Sequence, residues 1–127
     1  MIYGVGTDVV EIERIRSALE RFGERFARRI LCDPELRRFQ KHRLPANYLA
    51  KRFAAKEAFT KALGTGIHAP ANWHGVWVEN LRSGRPVLRF SSALNELLKQ
   101  KKVKTAHLSL TDEREMASAT VILECAD

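Results

Sequence analysis

Cysteine is almost missing from this chain: Cys32 and Cys125 are the only two. Two thiols so far apart in sequence form no metal-ligand spacing, and they exclude a disulfide-stapled scaffold. They fit a reducing cytoplasm. Aromatic residues are few, at 8%, and they are not interleaved with the basic segments as a base-stacking surface requires. No apolar run approaches the ~20 residues that cross a bilayer. The N-terminus shows no basic segment followed by a long apolar stretch, so no signal peptide is expected. Repeats, low-complexity tracts and linkers are also missing, so residues 1–127 read as one domain.

Acid is the scarcer charge. Fifteen Asp and Glu face 22 Lys and Arg, a net charge of +7. Such a surplus suits an anionic partner: nucleic acid, an acidic protein or a phosphorylated small molecule. Hydrophobic residues at 45% and charged residues at 29% are the balance of a folded globular protein.

Ile2 to Val5 reads as a short opening strand closing on Gly6. Asp8 and Glu11, three apart, read as the capping box of a first helix. Ile12, Ile15, Leu19, Phe22 and Phe26 give that helix an apolar face, and Gly23 ends or bends it. Arg14, Arg21, Arg25 and Arg28 form a basic row on the other side. Asp33-Pro34-Glu35 starts a second helix, with Asp33 as its cap. A basic loop through Lys41, His42 and Arg43 leads to Pro45, which opens a helix running to Leu63 with Gly64 as its C-terminal cap. Val76–Glu79 and Val87–Phe90 read as strands around a turn at residues 83–86, and Ser91 or Ser92 caps a helix. Residues 106–110 form a strand with His107 and Ser109 on one face, 111–115 a polar turn, and 117–124 a final β-branched strand. Strand, helices, then strands with one helix predict an α+β fold, a mostly antiparallel sheet packed on a long helix.

The long helix carries the most informative charges. At about 100° per residue, Leu49, Phe53, Phe59 and Leu63 share one face, and Ala50, Ala54, Glu57 and Lys61 another. The alanines allow something to approach Glu57 closely. Glu57 and Lys61 are spaced to pair, which on an exposed helix is worth only ~0.3–0.5 kcal/mol. Lys56 lies in the apolar sector, where an ammonium either snorkels outward or meets an anion.

These residues carry a resemblance. Gly6-Thr7-Asp8-Val9-Val10-Glu11-Ile12-Glu13-Arg14-Ile15 resembles the N-terminal G-x-D-(6 residues)-I motif of the holo-acyl-carrier-protein synthases, a group of 4′-phosphopantetheinyl transferases. Arg52 to Ala62, with Phe53 followed by Lys56-Glu57 and closing on Ala62, is similar to their second motif, and Gly64-Thr65-Gly66 follows it. Gly84-Arg85-Pro86 is similar to their G-(K/R)-P turn, and His107-Leu108-Ser109-Leu110 to their penultimate strand. The chain departs from many members at Asp112, where they carry histidine; Asp112 is assigned no role.

The resemblance implies transfer of 4′-phosphopantetheine from coenzyme A to a serine of apo acyl carrier protein, releasing adenosine 3′,5′-bisphosphate, in support of fatty acid biosynthesis. It implies Mg²⁺ on Asp8 and Glu57, with Lys61 as a catalytic contact to the pyrophosphate. By the same resemblance Arg52, Lys56, Gly64, Gly66, Gly84, Arg85, Pro86, His107 and Ser109, together with Lys61, are the coenzyme A contacts; for Lys56, a role in holding Asp8 and the core together stands beside phosphate contact. Arg14, Arg21, Arg25 and Arg28 become the docking face for the acidic carrier, and a homotrimer with sites between subunits is implied. The serine proton goes either to Asp8 or to a water on the metal. A nucleic-acid-binding module and a non-catalytic carrier-binding protein are the rival readings; sparse aromatics oppose the first, and the set Asp8, Glu57 and Lys61 opposes the second.

Overall fold

The computed structural model describes residues 1–126. In chain order the elements are β1 (Ile2–Glu11), α1 (Ile12–Phe22), α2 (Glu24–Ile30), α3 (Asp33–Lys41), α4 (Pro45–Leu63), β2 (Val76–Asn80), β3 (Pro86–Phe90), α5 (Ser92–Gln100), β4 (Val103–Glu113) and β5 (Met116–Cys125). Strands β1, β5 and β4 form an antiparallel sheet in that order, and β2 pairs with β3 in a separate hairpin. The fold is therefore α+β, as expected.

Helix α4 lies across the inner face of the three-stranded sheet. Ala117, Ala119, Val121 and Leu123 alternate along β5 toward it, all buried. Most of α4 is buried on every side, with Leu49, Ala50, Ala54, Ala55, Ala58 and Phe59 fully enclosed. The element that comes close to its alanines is β1. A Cβ added to Gly6 would lie 1.9 Å from the Ala58 carbonyl oxygen, and one added to Gly4 would lie 2.0 Å from that of Ala62. Only glycine permits such an approach of strand backbone to helix backbone.

Four local expectations are corrected. Asp8 is not a helix cap: β1 runs on to Glu11, Asp8 sits opposite Ala119 of β5, and α1 begins at Ile12. The strand pairing outweighs the short capping pattern. Gly23 at φ 65° separates α1 from α2, so Phe22 leaves the predicted apolar face and is 56% exposed. The cap of α3 is Cys32 rather than Asp33, because the Glu35 carboxylate accepts the Cys32 backbone N–H. The predicted turn at 111–115 shrinks, since β4 continues to Glu113. Pro45, Gly64 (φ 89°) and Ser91 act where expected, Ser91 accepting the Leu94 N–H.

Where Glu35 and Lys56 meet, the fold has a polar knot inside its core. Lys56 is 0% exposed, and its ammonium donates to the Ile30 carbonyl, the Glu35 Oε1 and the Trp73 carbonyl, each at 2.7 Å. Glu35 also accepts the Val78 N–H at 2.9 Å, and its own carbonyl accepts the Tyr48 hydroxyl. Five segments are thus tied to one buried ion pair.

Candidate active site

Along β1 the side chains alternate, so Asp8 projects on the same face as Gly4 and Gly6, toward α4. There it meets Glu57 and Lys61. Lys61 Nζ donates to Asp8 Oδ1 at 3.1 Å and to the Thr7 carbonyl at 3.0 Å. The expected Glu57–Lys61 ion pair is replaced by this cross-element pair. The Glu57 carboxylate has no hydrogen-bond partner among the described residues. Burial first, and then the Asp8 carboxylate beside it, push the Glu57 carboxyl above its ordinary range, with Lys61 pulling it part of the way back. Two carboxylates thus share a single nearby ammonium, and one of them lacks a donor.

A groove of about 460 Å³ opens on the pair. Asp8 and Glu57 line it beside Arg14, and Ile15, Phe26 and Phe53 supply apolar wall. Phe53 is backed by Trp73, whose ring stacks on it at 5.1 Å. Chemically, the groove offers oxygen ligands for a hard divalent cation and an apolar wall, and Lys61, bonded to Asp8, adds a cation beside it. No group of three or more His, Cys, Asp or Glu suited to a metal occurs among the described residues.

Comparison with known proteins gives the chain a family. Residues 4–121 match the family model for the 4′-phosphopantetheinyl transferase superfamily. The chain belongs to that superfamily. It is 51% identical over 124 residues to a holo-[acyl-carrier-protein] synthase of Azoarcus sp., covering 98% of each chain. The crystal structure of holo-[acyl-carrier-protein] synthase from Neisseria meningitidis superposes with a TM-score of 0.94 at 42% identity, covering 98% of this chain and 99% of that one. A holo-(acyl-carrier-protein) synthase from Bacillus anthracis, in complex with CoA (3′,5′-ADP), superposes at 0.83 with 35% identity, over 99% of both chains.

Within one chain of this transferase the other expected contacts do not gather at Asp8. Arg52 is 4% exposed; its guanidinium donates to the Asn80 side chain and stacks over the Tyr48 ring at 4.1 Å. Its Nε has no partner among the described residues. Asn80 in turn donates to the Gly84 carbonyl, so Arg52, Asn80 and the turn Gly84-Arg85-Pro86 make a second group. Arg52 and Lys61 are nine residues apart on α4, about 13.5 Å along its axis. His107 and Ser109 lie on exposed β4 positions, with His107 bonded to Glu124. Gly64 and Gly66 follow Lys61 directly, both with positive φ.

Of the readings open for Lys56, the structure bears out the carboxylate partner inside the core and removes the phosphate contact. Lys56 neither snorkels nor faces a phosphate, because all three of its protons are used inside the core. Its partner Glu35 was read as an acid at a helix start, and no spacing in the sequence links positions 35 and 56. Asp112 also gains contacts: it accepts the Asn47 amide at 3.0 Å and pairs with Lys51 at 3.3 Å, tying β4 to α4. Those two partners hold its carboxyl below the usual range despite partial burial. The docking row is exposed but unequal. Arg28 pairs with Glu24, and Arg21 lies over the Phe22 ring at 5.2 Å. Arg14 stands at the groove.

Proposed function

We propose that the chain is a holo-[acyl-carrier-protein] synthase, moving 4′-phosphopantetheine from coenzyme A to a serine of apo acyl carrier protein in cytoplasmic fatty acid biosynthesis. The observation that carries this reading is the meeting of Asp8, Glu57 and Lys61 from two segments remote in sequence, with the two carboxylates lining an open groove. In the reaction the serine oxygen bonds the phosphorus that bears the pantetheine arm, and the bond from that phosphorus to adenosine 3′,5′-bisphosphate breaks. The hydroxyl proton leaves. Positioning and neutralisation of phosphate charge are what such a transfer requires.

The donor set fits Mg²⁺. Mg²⁺ takes one or two protein carboxylates and fills its shell with water and substrate phosphate, whereas zinc prefers Cys and His. Asp8 and Glu57 would hold it, and the Glu57 carboxylate without a donor is the ligand left open for it. When bound, the cation supplies charge neutralisation at the pyrophosphate. Lys61, half-exposed, is the chain's own cation for a phosphate oxygen. Asp8 stands at the groove as an acceptor for the serine proton. Phe26 and Phe53 give the pantetheine arm an apolar wall.

Arg14, Arg21, Arg25 and Arg28 guide the acidic carrier, setting encounter and orientation more than affinity. The subunits act as a homotrimer. Two observations support that. The outer sheet face is uncovered, with Val5 and Val9 55% and 59% exposed on the face that also carries His107 and Ser109. The nucleotide-end group around Arg52 and Pro86 also lies away from Asp8, so a neighbour's copy can complete the cleft. Incubation with apo carrier, coenzyme A and Mg²⁺ should add one phosphopantetheine, read by mass spectrometry and abolished by EDTA. No addition under those conditions overturns the reading.

A further inference from the structure

A second cleft, about 680 Å³, lies between α5, the end of β3 and the start of β4. It is larger than the groove at Asp8. Phe90, Leu98, Val103 and Ala106 give it an apolar floor, and Lys99, Lys102 and Lys104 its charge. Among the described residues no Asp or Glu lines it. None of the three lysine side chains has an ion pair or hydrogen bond among the described residues.

The backbone gathers these groups. Lys99 closes the last turn of α5. Lys102 takes a left-handed conformation at φ 62°, uncommon for a residue with a Cβ, and turns the chain into β4. Pairing of β4 then slips between Val103 and Thr105. A bulge of this kind lets consecutive residues reach one side of a strand, so Val103, Lys104 and Thr105 all line the cleft. The Pro86 turn is at the other end of β3, about 13 Å away at ~3.3 Å per residue. This cleft is therefore set apart from the Gly84-Arg85-Pro86 turn, while His107 follows its lining residue Ala106 along β4.

We propose that it binds a single-chain amphiphilic anion. The aliphatic tail lies along Phe90, Leu98, Val103 and Ala106, and a carboxylate or phosphate head sits among the three lysines. The charges repel one another across an apolar surface, and an anion with a tail relieves both the repulsion and the exposure. Lysine is a compact charge without the planar fork of arginine, so either head is accepted. The volume is in the ordinary range for a small-molecule site. The inference stands apart from the transferase reading.

The test is titration of the ¹⁵N-labelled full-length chain with decanoate, following backbone amides by NMR. Shifts should concentrate at Phe90, Leu98–Lys99 and Lys102–Ala106, and decyl phosphate should reproduce them. Affinity should rise from hexanoate to decanoate, by up to about fourfold per methylene that becomes buried. Decanol and decyltrimethylammonium should bind far more weakly. Lys99→Glu and Lys104→Glu should each weaken decanoate binding on the order of tenfold. Lys101→Glu changes the net charge equally but lies off the cleft, and should leave binding unchanged. Scattered shifts, decanol matching decanoate, or equal weakening by Lys101→Glu would overturn the proposal. So would binding to phosphatidylglycerol vesicles without any response to decanoate, which would mark a basic surface patch instead.

Discussion

Replacing Lys56 with methionine should unfold much of what the sequence left unexplained at that position. The substitution keeps the unbranched stem and removes the ammonium. Three contacts of 2.7 Å disappear together: the Glu35 carboxylate loses its counter-ion, and the carbonyls of Ile30 and Trp73 lose a donor. Breaking one side of a fully buried pair costs about 3–5 kcal/mol. Glu35 keeps the Cys32 and Val78 N–H groups, which argues for the middle of that range. With a urea m-value of about 2 kcal/mol/M, a loss of ~4 kcal/mol moves the midpoint down by about 2 M. That is a large share of a stability of ~5–15 kcal/mol. Glu35→Gln added to Lys56→Met should recover part of the loss, because the bare charge is neutralised while an acceptor for Cys32 or Val78 remains. Equilibrium urea unfolding of the four members of this cycle reads the coupling directly. A loss below ~1 kcal/mol for Lys56→Met, or strict additivity across the cycle, would refute the buried-pair argument. A phosphate-contacting Lys56 gives the opposite pattern: unchanged stability and a raised KM for coenzyme A.

Four further outcomes concern the carboxylate pair, its support, its partners and its assembly. Glu57→Gln should abolish Mg²⁺-dependent transfer and the rise in Tm on adding Mg²⁺, yet leave the metal-free protein no less stable than wild type at neutral pH. The sign follows from the raised Glu57 carboxyl. The folded state binds that proton more tightly than the unfolded chain, so ionisation costs stability as pH rises from the ordinary glutamate value of about 4.5 through the elevated folded value. The mutant's advantage should therefore close below pH 4.5, and a metal-free mutant that is weaker at pH 7 would contradict it. Gly6→Ala must push β1 off α4, since its Cβ would meet the Ala58 oxygen at 1.9 Å; about 1–3 kcal/mol should be lost by thermal unfolding, with transfer falling further as Asp8 shifts from Glu57. Arg14→Glu should raise KM for the carrier with little change for coenzyme A, and light scattering should give three times the 14.5 kDa chain mass.

Much of the fold was legible because its signals were local. The proline and glycine at the two ends of α4, the Ser91 cap and the alternation in β5 each act within a few residues. Errors came where a local pattern met a tertiary competitor. Asp8 and Glu11 have the spacing of a capping box, but β5 offers that segment a continuous ladder, and the ladder prevails. Glu57 and Lys61 have the spacing of a helix pair, but β1 brings a nearer carboxylate to Lys61. The odd position of Lys56 was visible as a demand for an anion; its answer, Glu35, depends on how α3 folds back over α4, and no periodicity encodes that.

The order of small residues before Asp8 explains why the carboxylates stay together. Asp8 and Glu57 repel, and the raised Glu57 carboxyl records that repulsion beside its burial. Lys61 compensates only in part, being half-exposed and turned to Asp8. Charge therefore both draws and repels β1 and α4 at this point. Gly4 and Gly6 allow the close approach. They let strand backbone rest on Ala62 and Ala58, and the period of two along the strand then points the next inward residue, Asp8, at the turn of α4 that carries Glu57. The glycine-alanine packing involves no charged atom, so the two carboxylates can stay close in the folded state. On the proposed reading, a pair held together in this way would be poised for a divalent ion. It also follows that substitutions at Gly6 or Ala58 should act on metal affinity without touching a ligand.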